Sequence, residues 1–153
     1  VKFRTFAGMG RILAIDYGTR RCGIAVTDPL QIIASGLTTV SSSDLFSFLG
    51  KYMAEEEVEA IVVGYPLELD GSPTRITHLV KGLIRQLKKR FPDVRIETMD
   101  ERYTSAEAQQ LLLQTGVRKK KRREKGLIDK LSAAIILNDY MEARVWPGKK
   151  ERE

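Results

Sequence analysis

The stretch from Arg11 to Asp28, RILAIDYGTRRCGIAVTD, constrains this chain more than any other. Ile12, Leu13, Ala14 and Ile15 form an uninterrupted apolar run, as expected of a strand buried on both faces. The run ends in a carboxylate, Asp16, and Gly18 lets the chain turn before a second apolar run, Cys22 to Val26. Two such runs across a tight turn pair as an antiparallel hairpin. An acid where a buried strand meets its turn is held rigidly while still reaching solvent. That position suits a metal ligand or a phosphate site, and it equally suits an aspartate that caps its own turn.

The remainder of the chain supplies the layers around that hairpin. Ala34 to Val40 reads as a third strand, and Ser41 to Ser43 offer hydroxyls to cap a helix. Leu45, Phe48, Leu49, Tyr52 and Met53 give that helix its apolar stripe. Ala60 to Val63 is a fourth strand, stopped at Gly64-Tyr65-Pro66 because Pro66 cannot donate a ladder hydrogen bond. Ser72-Pro73 reads as an N-cap with proline at the first helical position, opening a helix striped by Ile76, Leu79, Val80, Leu83, Ile84 and Leu87. Lys88, Lys89 and Arg90 complement the dipole in its last turn. Val94 to Met99 is a fifth strand ending in Asp100-Glu101, and Thr104 and Glu107 stand at capping-box spacing for a further helix ending near Gly116. Arg118 to Lys125 holds seven basic residues in eight, and Gly126 separates it from a last helix, Leu127 to about Arg144.

The order β-β-β-α-β-α-β-α-α predicts an α/β fold, a mixed sheet with helices on both faces. Acids stand at the ends of the first strand (Asp16) and the fifth (Asp100, Glu101), and on the last helix (Asp129). Ser132 and Ala133, three and four residues after Asp129, are small enough to let that helix lie close to the sheet and carry Asp129 toward Asp16. An acid in a first helical turn is also a common favourable partner of the dipole.

At 153 residues the chain has the size of one domain, placed at 11–146 between an N-terminal segment, 1–10, and a polar tail, 147–153. Met9 is a natural initiator, so residues 1–10 are expected to be an expression remnant or a disordered N-terminus. The net charge of +6 favours an anionic partner. No apolar run has the length of a membrane span, and the single Cys22 fits a reducing cytoplasm. With His78 the only histidine, neither a Ser-His-Asp nor a Cys-His nucleophile is available, and no His/Cys cluster favours zinc.

Four blocks carry a family resemblance: Asp16-x-Gly18 with Arg21, Gly23, Ala25 and Asp28; Val62-Val63-Gly64-x-Pro66-Leu67 with Asp70-Gly71; Asp100-Glu101-Arg102-x-Thr104-Ser105-x-Glu107-Ala108; and Lys125-Gly126-x-x-Asp129-x-x-x-Ala133-Ala134. In these, and over about Arg11 to Arg144, the chain resembles the YqgF (RuvX) family of the ribonuclease H-like superfamily. The resemblance implies a ribonuclease H-like five-stranded mixed sheet and an acidic phosphodiesterase site of Asp16, Glu101 and Asp129, with Asp100 the alternative to Glu101. The wider superfamily usually places an acid at the end of the fourth strand, where this chain has Gly64-Tyr65-Pro66. Phosphodiester hydrolysis by two hard cations about 3.5–4 Å apart agrees with oxygen ligands, and so with Mg²⁺ or Mn²⁺.

The implied activity is nucleic-acid cleavage: maturation of the 5′ end of precursor 16S ribosomal RNA, or resolution of Holliday junctions. A ribosome-assembly or nucleic-acid-binding accessory protein with a vestigial site is the third reading. Structured RNA is the favoured partner over a DNA junction, with the protein cytoplasmic and a monomer or weak dimer. Arg21 and Arg102, beside the acids, can bind substrate phosphate or neutralise the acidic cluster. Lys119, Lys120, Lys121, Arg122 and Arg123 are expected to hold substrate phosphates without reading sequence. An actin- or Hsp70-type ATPase also opens with Asp-x-Gly-Thr, but it needs two domains around its nucleotide, more than this chain supplies.

Overall fold

A computed structural model describes residues 10–101 and 125–145, with the backbone alone at 125–128 and 145. Its strands are β1 (Arg11–Tyr17), β2 (Arg21–Thr27), β3 (Ala34–Ser41), β4 (Val58–Tyr65) and β5 (Arg95–Asp100). They form one sheet in the order β3-β2-β1-β4-β5. The first three run antiparallel as successive hairpins, while β4 and β5 run parallel to β1. This is the expected mixed sheet, consistent with the ribonuclease H-like arrangement. The described helices are α1 (Leu45–Glu55), α2 (Thr77–Arg90) and α3 (Lys125–Val145). The predicted helix between Thr104 and Gly116, the tail 147–153 and most of the basic run lie outside the described residues.

Alternation along β1 splits the core in two, because successive strand side chains point to opposite faces. Leu13 and Ile15 pack with Leu45 and Leu49 of α1 and with Val80, Leu83 and Leu87 of α2. Ile12 and Ala14 pack on the other face with Ala133, Ile136, Leu137 and Met141 of α3. Each large apolar side chain sealed this way contributes about 1.5–3 kcal/mol, so β1 is the spine of both layers.

Several local expectations give way to tertiary demands. Ser42 does not cap α1; its hydroxyl donates to the Gly18 carbonyl at 2.5 Å and lies 3.6 Å from Cys22 Sγ, tying down the β1–β2 turn. A short 3₁₀ turn, Ser42–Asp44, precedes α1 instead. Ser72-Pro73 does not open α2. The Asp70 carboxylate accepts both the Ser72 N–H (2.9 Å) and the Ser72 hydroxyl (2.6 Å), and Leu67 bridges Pro73, so this stretch is a closed loop. The helix starts at Thr77, whose hydroxyl donates to the Pro66 carbonyl at 2.8 Å. Its buried stripe is correspondingly rotated to Thr77, Val80, Leu83 and Leu87, leaving Leu79 exposed. Gly126 lies inside α3 rather than before it, since the helix begins at Lys125.

Candidate active site

The alternation that buries Ile12 and Ala14 against α3 puts Asp16, the next residue of the same parity, on the α3 face. Its neighbours across the sheet are glycines. Asp16 pairs directly with Gly23 of β2. On the other side, Ile15 pairs with Val63 of β4, so Gly64 is next to Asp16, and Gly64 in turn pairs with Met99 of β5. Read across the strands, the row is Gly23, Asp16, Gly64, Met99.

Both glycines leave room that an acid-bearing element fills. A Cβ at Gly23 would lie well under 3.0 Å from the carbonyl of Asp129, so the first turns of α3 rest directly on β2. Ser132 and Ala133 are buried in the same contact, as their small size requires. A Cβ at Gly64 would collide with the carboxylate of Glu101 and would lie 2.6 Å from Ile136 Cδ1. Glu101 follows β5 by one residue and reaches back over β4 through that gap, its own N–H donating to the Tyr65 carbonyl at 3.3 Å. The fourth strand thus supplies no acid but the space for one from the fifth. Strand phase separates the two candidates there. Met99 packs on the α3 side and Ile96 on the other, which places Glu101 on the face of Asp16 and Asp100 on the opposite one.

The carboxyl groups of Asp16 and Glu101 are hydrogen-bonded to each other. Burial pushes both up, and their mutual repulsion adds to it at Glu101, lifted to about 9, while Asp16 is lifted to about 6 with a further push from Asp129. Between them the two groups therefore hold one proton at neutral pH, shared as a carboxylic acid–carboxylate pair. Asp129 is partly exposed and pairs with Arg21, whose Nε lies 3.5 Å from its Oδ2. That contact puts the Arg21 guanidinium beside the acidic group.

Among the described residues, no three His, Cys, Asp or Glu side chains are drawn tightly enough to hold a cation as they stand. What is assembled is a buried carboxyl pair with a third acid in electrostatic reach. The donor set is all oxygen, and burial and mutual repulsion raise the proton affinity of Asp16 and Glu101; oxygen donors fit a hard divalent cation. Arg102 and the run from Lys119 to Arg123 lie outside the described residues. Gly23 and Gly64, which make room beside the acids, are positions to which the sequence alone assigns no role. The available signal was glycine inside a strand, a common mark of close approach by another backbone or group.

The family model described as Holliday junction resolvase, RuvX, matches residues 10–143. The chain belongs to the RuvX family. Its curated relatives include proteins named "Putative pre-16S rRNA nuclease". One, from Flavobacterium psychrophilum, is 45% identical over 90% of this chain and 100% of its own length. Another, from Flavobacterium johnsoniae, is 47% identical over 89% and 99%. A third, from Amoebophilus asiaticus, is 50% identical over 88% and 96%. This RuvX chain thus spans nearly the whole of the relatives it matches. No described helix is long and apolar enough to cross a membrane.

Proposed function

We propose that this RuvX protein is a metal-dependent endonuclease that hydrolyses a phosphodiester bond in the 5′ region of precursor 16S ribosomal RNA in the cytoplasm. The observation that carries the reading is the buried Asp16–Glu101 pair beside Asp129, brought together at the end of the central strand. Burying two carboxyl groups against one another works against folding, and groups perturbed in this way cluster at functional sites. The names of its relatives support ribosomal RNA as the substrate.

In this reading Asp16, Glu101 and Asp129 hold Mg²⁺ or Mn²⁺. The bound cations would activate water and stabilise charge on the attacking and leaving oxygens. The protein's own part follows from the geometry. Asp16, fixed by β1 between two strands, sets the position of the group. Asp16 and Glu101 would have to give up their shared proton to hold a cation, so binding would be linked to proton release. Arg21, held by Asp129 in the free protein, exchanges that partner for a substrate phosphate, for which its planar fork is suited.

The test is cleavage of a precursor 16S RNA fragment beside a synthetic four-way DNA junction, each with Mg²⁺, Mn²⁺ or EDTA. Cleavage of the RNA at a defined site, lost in EDTA and in Asp16→Asn, is the expected result. Preferential cleavage of the junction would move the substrate to DNA, as the family description reads. A folded Asp16→Asn variant with wild-type rate would remove Asp16 from the mechanism.

A further inference from the structure

Helix α2 carries an unusual distribution of charge. Its sequence, THLVKGLIRQLKKR, contains no acidic residue. His78, Lys81, Arg85, Lys88 and Lys89 are all exposed. At 100° per residue they fall within one flank of the helix, next to the stripe of Thr77, Val80, Leu83 and Leu87 that faces the core. The opposite flank bears Leu79 and Gln86, and Arg90 is drawn away over the Phe46 ring, 4.2 Å from its centroid.

A surface kept only for solubility intersperses both signs. Here Lys81 and Arg85, and Arg85 and Lys89, are like charges four residues apart, each pair costing the helix a few tenths of a kcal/mol. Lys81 and Arg85 also stand away from the last turn, where cations favour the dipole. Among the described residues none of Lys81, Arg85 and Lys88 pairs with an acid.

The flank also has a direction. Thr77 is bonded to the carbonyl of Pro66, directly after β4, so α2 starts at the edge of the sheet where Asp16 and Gly64 lie. From His78 to Lys89 the basic positions run about 16 Å away from that edge, at about 1.5 Å per residue. They lie on the sheet face opposite α3, so they extend the candidate active site without belonging to it.

We propose that the Lys81–Arg85–Lys88 flank of α2 is a second contact surface for the RNA, tracking its phosphate backbone on the far side of the sheet edge from the cut. The proposal rests on the RNA-nuclease reading for its ligand, and its contacts are to phosphates, so they add affinity without sequence preference.

The experiment measures binding of a fluorescein-labelled RNA hairpin with a single-stranded 5′ extension by anisotropy, over a range of salt concentrations and in EDTA to prevent cleavage. Lys81→Gln/Arg85→Gln is compared with Lys51→Gln/Arg144→Gln, which removes the same charge from exposed positions on α1 and α3. The α2 pair is expected to lower the slope of log affinity against log salt by about 1.4, near 0.7 per lost single-strand contact. The control pair is expected to change it little. Equal losses in both pairs, or none in the α2 pair, would overturn the proposal. Wild-type protein that binds RNA through α2 but cleaves nothing would refute the nuclease reading alone. Asp16-dependent cleavage with α2-independent binding would refute this proposal alone.

Discussion

A single methyl group at Gly64 tests how the site is assembled. The added Cβ would fall well inside contact distance of the Glu101 carboxylate and 2.6 Å from Ile136 Cδ1. Ile136 can yield by rotating its terminal carbon, whereas Glu101 can yield only by leaving Asp16. Overpacking of this kind costs about 1–3 kcal/mol, which for a chain of this size lowers Tm by roughly 2–12 °C. The functional loss should be larger than the structural one, because a misplacement of about 1 Å in a catalytic group can cost about 10²-fold. Gly64→Ala is therefore expected to remain folded, to bind Mn²⁺ at least tenfold more weakly by calorimetry, and to cleave RNA about 10²-fold more slowly. Gly50→Ala is the matched control: a Cβ there meets nothing within 4 Å, and it sits inside α1. It should gain up to about 1 kcal/mol from helix propensity and leave cleavage intact. Combining Gly64→Ala with Ile136→Val removes the apolar obstacle and leaves the carboxylate one. Recovery of Mn²⁺ affinity in that double variant, or wild-type affinity and rate in Gly64→Ala itself, would refute the idea that Gly64 makes room for Glu101.

Metal-free protein should lose stability as pH rises, because Asp16 and Glu101 hold protons in the fold to about 6 and about 9 against ordinary values of 3.8 and 4.5. Between those limits the native state binds more protons than the unfolded chain, so the pair's contribution is full below about pH 4 and is lost through about pH 9. Glu101→Gln should flatten that fall in melts run in EDTA and raise Tm at the alkaline end; an unchanged pH profile would show that the pair is not coupled. Mn²⁺ binding near pH 7 should release close to one proton, read from calorimetry in buffers of different ionisation enthalpy, and zero release would mean Glu101 is already ionised. Replacing Lys119, Lys120, Lys121, Arg122 and Arg123 by Ser should weaken RNA binding and reduce its salt slope by roughly 0.7 per lost contact; wild-type affinity and slope would place the substrate elsewhere.

The strands, their order along the chain and the acids at the ends of the first and fifth were legible because each rests on a local signal: an apolar run, a turn residue, a carboxylate at a strand end. What escaped depends on pairing between distant segments. Whether Asp100 or Glu101 meets Asp16 is fixed by the register of β5 on β4, which no window around residue 100 contains. Ser42 looked like a cap because its neighbours are serines before a helix, yet the Gly18 carbonyl, distant in sequence, has the stronger demand on it. Ser72 was misread for the same reason, with Asp70 as the competitor. Gly23 and Gly64 could be quoted as motif letters, but their meaning lies in the turn of α3 and the side chain of Glu101 that occupy their missing volume.

The two faces of the sheet are not equally well held. Among the described residues, the buried cluster under α1 and α2 has thirteen members, while that under α3 has nine, of which four are alanines. Alanines bring α3 close enough to set Asp129 beside the sheet, but they bury little area. Opening of α3 as a separate cooperative unit should therefore require less free energy than global unfolding. Asp129 would then leave Asp16 and Glu101 while the β1–β2–β4 framework stayed intact. Amide exchange along Ala133 to Met141 and loss of cleavage on warming should follow one curve, at temperatures where the strands are still protected.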